Sequence, residues 1–333
     1  MERRHFVAGA ISLLTAPRVA STPVAAQPRD PGAPQKAVRI GVLYPGVDND
    51  IFRGNFEGFR ESLAAGGYVE GRNLTFDLRF GDGRALAPLA AQLANIRPDL
   101  LLAIARSATV AMHAATTTIP IVAIDLESDP VASRFVKTLP HPGGNVTGVF
   151  MDFPELAGKW LEILKTIVPG LTGVGVLWDP ATGPAQLEAA RRAAYVLKLV
   201  IHAVEARTTD EMAPAFRSAL QTRSNGMIVL TSPIFNSGRR KIVELATQHR
   251  LPTLLPFTGY TQDGGLVSYG PDVMTMYGQV GTLAIKVLGG TPPARIPVER
   301  PTRFTLAVNL KTARALGLTI PPSLLLRADE VIE

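Results

Sequence analysis

An arginine placed directly behind a buried apolar run needs an anion or a partner, because its guanidinium stays charged and carries five donors. Arg106 stands in that place, after the apolar stretch 99–105, and Ser107 and Thr109 follow with hydroxyls where a helix should begin. Asp129 and Asp179, each followed by proline, also close apolar runs, and Ser232 closes another. Tyr44, Phe235, Phe257 and Tyr260 lie in or beside loops of the same kind. Together these residues offer a cation, hydroxyls, and rings that make apolar walls with a polar handle, the equipment for holding a small molecule. Each also has a plainer reading: Ser107 and Thr109 as helix caps, the Asp-Pro pairs as turns, the rings as core packing.

Equipment for making and breaking bonds is not visible. The chain has no Gly-x-Ser-x-Gly elbow, no Gly-Lys-Ser/Thr phosphate loop and no His-Glu-x-x-His. Gly81-Asp82-Gly83 lacks the third glycine of a dinucleotide fingerprint. His5, His113, His141, His202 and His249 are scattered without metal-ligand spacing, and Phe52 interrupts the oxygen alternation of Asp48-Asn49-Asp50. Cysteine is absent, which removes disulfides, thiolate chemistry, cysteine metal sites and lipid attachment at an N-terminal cysteine. No catalytic residue, metal or cofactor is expected, and the chain reads as a binding protein rather than an enzyme.

The candidate residues need a scaffold, and the sequence describes one. With 333 residues, 46% hydrophobic and 19% charged, the chain suits two packed domains rather than disorder. Short apolar runs at 38–43, 74–80, 99–105 and 120–125 alternate with helical patterns at 52–63, 85–96 and 107–117. A Gly/Pro-rich stretch at 141–148 breaks the rhythm. It resumes with helix 154–168, strand 173–178, helix 184–198, strand 199–204, helix 210–222, strand 226–230, helix 238–249 and strand 252–257. Residues 264–272 read as a second crossing, followed by helix 273–288, a strand at 303–309 and a helix at 310–316. Alternation of this kind implies right-handed β-α-β crossovers and parallel sheets covered on both faces. The expected fold is therefore α/β, with two doubly wound parallel-sheet lobes joined by a multi-strand hinge. Lobe 1 is expected over 37–148 plus 266–300, and lobe 2 over 149–265 plus 301–333. In open parallel sheets ligands sit beyond the carboxyl ends of the strands, where helix N-termini converge. The loops 44–50, 106–109, 127–131, 179–183, 232–237 and 257–262 fall there.

Residues 1–26 read as a signal peptide: Arg3 and Arg4, an apolar stretch at 7–16, and small residues Val24, Ala25 and Ala26 before Gln27. The start ERRHFV has a twin-arginine look. Cleavage would remove Glu2, Arg3, Arg4 and Arg18 and lower the formal charge from +6 to +4. Residues 27–36 are expected as a flexible leader, since 27–35 are rich in proline and polar groups. No later stretch has 18 uninterrupted apolar residues, so no membrane span is expected. No clustered basic face suggests nucleic acid; Arg239, Arg240 and Lys241 open an amphipathic helix as a solvated face.

Particular strings add a family resemblance. FEGFRESLAAGGYVEGRNLTFDLRFGDG at 56–83, TTTIPIVAIDLESDPV at 116–131, LPHPGGNVTGV at 139–149 and LAGKWLEILKTIVPGLTGVGVLWDP at 156–180 resemble ABC transporter substrate-binding proteins of the tryptophan/tyrosine type. GGLVSYGPD at 264–272 and the long C-terminal string from 297 resemble them too. The resemblance implies a type I periplasmic-binding fold with three interlobe crossings, a partner permease and ATPase, and ligands such as aromatic amino acids. By position it implies ligand contacts from 106–109, 129–130, 179–180, 232–235 and 257–260. The chain departs from the family at Arg106-Ser107-Ala108-Thr109, where a Gly-rich, Thr-containing loop is usual, and at Asp179-Pro180, where Asn-Pro is common.

The resulting expectation is a periplasmic, monomeric solute-binding protein. It would capture a small organic solute, an aromatic amino acid or another carboxylate, by hinge closure. A ligand-sensing subunit for a membrane receptor, or an enzyme on the same scaffold, are the alternatives.

Overall fold

The computed structural model describes residues 37–151 and 154–333. The expected signal peptide and leader lie outside the described residues.

Two sheets organise the chain. The first contains β1 (Val38–Pro45), β2 (Leu74–Gly81), β3 (Leu100–Ile104), β4 (Ile121–Asp125) and β5 (Val146–Phe150), all parallel, in the order β2-β1-β3-β4-β5. Helices α1 (Asp50–Ala65), α2 (Leu86–Asn95) and α3 (Arg106–Ala115) connect them. Strands β3, β4 and β5 are buried throughout, as apolar runs require in a sheet covered on both faces.

The second sheet begins after α4 (Pro154–Ile167). It holds β6 (Gly173–Trp178), β7 (Val200–Glu205), β8 (Gly226–Val229) and β9 (Thr253–Leu255), threaded with α5 (Ala185–Leu197), α6 (Met212–Gln221), α7 (Pro233–Ser237), α8 (Arg239–Gln248) and α9 (Thr258–Gln262). β10 (Val267–Pro271) adds in parallel beside β9. After α10 (Val273–Leu288), β11 (Phe304–Asn309) pairs antiparallel with β10. The chain ends with α11 (Leu310–Leu316), α12 (Pro322–Leu325) and β12 (Glu330–Ile332), giving the order β12-β11-β10-β9-β8-β6-β7.

Two expectations change here. The Gly/Pro-rich break expected at 141–148 ends earlier, because residues 146–150 form a strand that pairs beside β4 with Val146, Val149 and Phe150 buried. Residues 267–271 were expected in lobe 1, yet β10 hydrogen-bonds on both sides within the second sheet, so the return to lobe 1 comes after Pro271.

The chain passes between the sheets after β5, after β10 and again before β11. Helix α10 belongs with the first sheet. Asp272 caps its start by accepting the N–H of Thr275, and Gly289 follows its end. Gly58 and Gly281 let α1 and α10 approach closely: a methyl on Gly58 would meet the Met274 carbonyl, and one on Gly281 the Ser62 side chain. Asn49 caps α1 through the Phe52 N–H and fixes the helix so that Phe52, Phe56, Phe59 and Leu63 face the core. The Phe52 and Phe56 rings stack at 5.3 Å and meet Phe80 and Phe76 edge-on. That cluster braces the end of β1 from which Tyr44 projects. Among the described residues, no helix is long and apolar enough to cross a membrane.

Candidate ligand-binding site

Both sheets reverse their winding direction once, and a crevice opens at each reversal. In the first lobe it lies between the loops after β1 and β3, and in the second between those after β6 and β8. The two crevices face each other. A cavity of about 420 Å³ is walled from the first lobe by Pro45, Leu86, Ala105, Arg106, Ser107, Val110 and Glu127, and from the second by Asp179, Thr182, Pro233 and Ile234. A tighter cavity of about 50 Å³ continues inward past Tyr44, Ser232, Phe257, Met276 and Tyr277. Ala105, Glu127 and Pro233 border both. The larger volume falls within the range of small-molecule sites, and its wall is apolar with a few polar groups that could fix an orientation.

Arg106 is the first residue of α3, and its guanidinium extends to the second lobe. Its Cζ lies 3.9 Å from where a side chain on Gly183 would start. Among the described residues it forms no ion pair, so its charge is available to an anionic group on a guest. Ala105 precedes it with φ 73° and ψ 162°, a conformation ordinarily reserved for glycine. The chain makes its turn from β3 into α3 at a cost of about 1–3 kcal/mol, held by the Ala105 N–H to Ile124 carbonyl bond of 2.6 Å.

Asp179 and Ser232 meet beneath the second lobe's wall. Ser232 Oγ donates to Asp179 Oδ2 at 2.7 Å, and the Ala181 N–H donates to Oδ1 at 2.9 Å. Burial raises the Asp179 carboxyl above the ordinary carboxylate range, and these two bonds partly oppose it. Gln186 ties the neighbouring turn, donating to the Thr231 carbonyl and accepting its N–H and hydroxyl. Tyr44 reaches from the first lobe to the second, its hydroxyl 3.2 Å from Ser237 Oγ. Burial raises the Tyr44 phenol, and hydrogen bonds to Ser237 and Asn236 act against that.

Six of the ten residues singled out from sequence therefore border the cavities: Tyr44, Arg106, Ser107, Asp179, Ser232 and Phe257. Four do not. Thr109 is buried inside α3 and donates its hydroxyl to the Ala105 carbonyl at 3.0 Å. Asp129 is exposed, holding its own turn through the Val131 N–H. Phe235 is fully buried core, because α7 turns its ring away from the cleft and into the second lobe. Tyr260 is also fully buried; its hydroxyl has no hydrogen-bond partner among the described residues, and burial raises the phenol well above its ordinary value.

Sequence reasoning placed the loops 127–131 and 232–237 at the site without singling out Glu127 or Ile234, and it missed Val110, Met276 and Tyr277 as wall residues. Glu127 carried a signal, since it ends an apolar run as Arg106 does. Its Oε2 accepts the Arg106 N–H at 2.9 Å. Burial, then the neighbouring Asp125 charge, raises its carboxyl well above the ordinary range. Tyr277 carried none, because its helical spacing reads as core packing. Among the described residues, no group of three or more His, Cys, Asp or Glu side chains could hold a metal ion.

Comparison with known proteins bears on this cleft. A family model described as ABC transporter substrate binding protein matches residues 39–332. A tyrosine-binding protein of Clostridioides difficile (strain R20291) is 28% identical over 266 residues, covering 79% of this chain and 76% of that protein. The crystal structure of an ABC domain in complex with L-Trp from Streptococcus pneumonia superposes with TM-score 0.80 at 27% identity, covering 89% of this chain and 100% of that one. The ligand-free, open structure of a substrate binding protein with adhesive properties from Clostridium difficile gives TM-score 0.61 at 25% identity, covering 89% and 99%.

Proposed function

Because the chain belongs to the ABC transporter substrate-binding protein family, whose members hold solutes rather than transform them, we propose that it captures a small organic solute between its lobes and delivers it to a permease and its ATPase. The observation that carries this reading is the cavity of about 420 Å³ at the meeting of both sheet reversals, walled from both lobes and faced by Arg106, which forms no ion pair among the described residues. An aromatic amino acid suits the site. Arg106 offers a carboxylate its partner, Val110, Leu86 and Ile234 offer apolar walls, and two relatives are described with tyrosine or L-Trp.

The working cycle is a hinge. A solute resting on one lobe gains the other lobe's contacts only on closure, so binding shifts the population toward the closed form that the permease would read. Two relatives of near-equal identity and coverage support the hinge: the L-Trp complex superposes at 0.80, the open ligand-free structure at 0.61. A change in lobe arrangement would produce such a difference, and the higher score to the liganded relative supports a closed arrangement in this chain. The protein would work as a monomer in the periplasm, exported through the segment 1–26, with the twin-arginine pair as its route. The described residues contribute no membrane-crossing helix.

Mass spectrometry of solute carried through purification, followed by calorimetry on the stripped protein with L-tyrosine and L-tryptophan, tests the reading. Micromolar binding, about −8 kcal/mol, is the expected result. Stripped protein that binds no amino acid and carries no solute would overturn it.

A further inference from the structure

In the cleft, a side chain of the protein already occupies the seat that an anionic solute would take. Helix N-termini present N–H groups and partial positive charge, the usual resting place of a carboxylate. At α3 that place is held by Glu127, whose Oε2 accepts the N–H of the helix's first residue, Arg106, at 2.9 Å. Glu127 is only 6% exposed yet borders both cavities. Two residues before it, Asp125 is fully buried at the end of β4, with Oδ1 accepting the N–H groups of Glu127 and Ser128, and Oδ2 accepting Ser128 Oγ at 2.6 Å. The Asp125 charge, added to burial, raises the Glu127 carboxyl well above the ordinary range.

We propose that Glu127 sets the charge class of the solute: it bars a carboxylate from the start of α3 and receives a cationic nitrogen instead. An amino acid would then lie with its ammonium at Glu127 and its carboxylate toward Arg106. This rests on the reading of the cleft as the solute site and names the chemistry that site takes.

The groups around Glu127 fit a cationic guest. Asp125 and Ser128 face it from its own segment, Arg106 from α3, Tyr44 from β1 and Tyr277 from α10, while Asp179 acts on it from the second lobe. Arg106 is the single cation of that set, and it points on toward Gly183. Farther out, Arg239 acts on Tyr44, and Arg207 and Glu211 act on Asp179. Burial and the Asp125 charge both raise the Glu127 carboxyl and so favour its protonated form in the empty protein. An arriving ammonium replaces that proton. The carboxyl O–H bond breaks, the proton passes to the buffer, and the ammonium N–H donates to the carboxylate left behind. Binding therefore releases up to one proton, and affinity rises with pH until Glu127 is already ionised in the empty protein.

A melting-temperature screen of the standard amino acids on the full chain selects the best binder, which is compared by calorimetry with its desamino analogue. Titrations run near neutral pH in two buffers of different ionisation enthalpy, on the unmodified protein and on Glu127→Gln. The expected result is a loss of at least about 10-fold on removing the amino group, as suits a hydrogen bond between charged groups. Glu127→Gln should shrink that loss to within about threefold, and the unmodified protein should release more proton on binding than Glu127→Gln does. A desamino analogue that binds as tightly as the amino acid, or binding without proton release, would overturn the assignment to Glu127 while leaving the solute-binding reading intact. No binding by any amino acid would overturn the assignment to Glu127, and the solute-binding reading would fall with it only if no solute is carried through purification either. Should Glu127→Gln fail to fold, the proton count on the unmodified protein decides.

Discussion

The Ser232 hydroxyl donates to the Asp179 carboxylate at 2.7 Å, across 53 residues of sequence, and both groups are buried beneath the cleft wall. The bond ties the turn after β6 to the turn after β8, the two loops that frame the second lobe's crevice. Ser232→Ala removes the donor and leaves a buried carboxylate oxygen short of a partner. Unfolding in urea should show a loss of about 1.5–3 kcal/mol, the range for hydrogen bonds to charged groups. A midpoint unchanged from the parent protein would mean that water replaces the hydroxyl and the loops stand independently.

Ala105 offers a stabilising change. Its φ of 73° with ψ of 162° suits glycine, and a side chain there strains the entry to α3. Ala105→Gly should relieve about 1–3 kcal/mol of strain and give back roughly 0.5–1 kcal/mol in unfolded-chain entropy. The net expectation is a melting temperature raised by a few degrees. A lower melting temperature would show that the turn is not strained as described.

These sites show what the sequence makes legible. Strand-helix alternation gave both lobes, because apolar runs of five or six residues ending in Asp-Pro, Arg-Ser or Thr-Ser have few other readings. It also placed Arg106, Asp179 and Ser232 at strand ends, which the topology turns into cleft walls. Phe235 and Tyr260 were misjudged because short helices, α7 and α9, rotate their rings into the core, and a loop-like sequence does not reveal that rotation. Strand β10 was hidden by its glycine and proline. Its Gly270 lies where any side chain would collide with the Pro256 carbonyl, so a residue that looks like a crossing is a point of close backbone approach.

The raised carboxyl of Glu127 makes a prediction about pH. A carboxyl whose folded pKa exceeds its unfolded one binds more protons in the native state between the two values. Stability of the solute-free protein should accordingly fall as pH rises through that window, from the ordinary carboxylate range up to the raised value of Glu127. The slope is at most about 1.4 kcal/mol per pH unit for one group. Asp125, raised chiefly by burial, acts in the same direction. Glu127→Gln should flatten the slope in urea titrations across this window. A variant with the parent's slope would place the proton elsewhere.

Arg106→Ala should discriminate between solutes by charge. With its guanidinium facing the cleft and no ion pair among the described residues, Arg106 contributes to binding only through what the guest brings. A solute carrying a carboxylate should lose about 1.5–3 kcal/mol, and its primary amide much less. Calorimetry with an amino acid and its amide reads the difference directly. Equal losses would remove Arg106 from solute recognition.

Closure of the lobes in the solute-free protein should depend on Tyr44. Its hydroxyl meets Ser237 Oγ at 3.2 Å, and nearby Arg240 lies 3.6 Å from Asp50, both pairs joining the first lobe to the second. The exposed ion pair is worth little in salt solution, about 0–1 kcal/mol, whereas the Tyr44 hydroxyl is buried and its partner must be found again whenever the lobes part. Tyr44→Phe keeps the ring against Phe52 and Phe80 and removes only the hydroxyl. The net loss of about 0.5–1.5 kcal/mol lowers the closed-to-open ratio by roughly 2- to 13-fold. Small-angle scattering without solute should then report a larger radius of gyration for Tyr44→Phe than for the parent. Saturating solute should return both to the same value, since the guest restores contacts across the gap. Identical scattering in all four samples would mean that the lobes do not move, and the hinge would have to be given up.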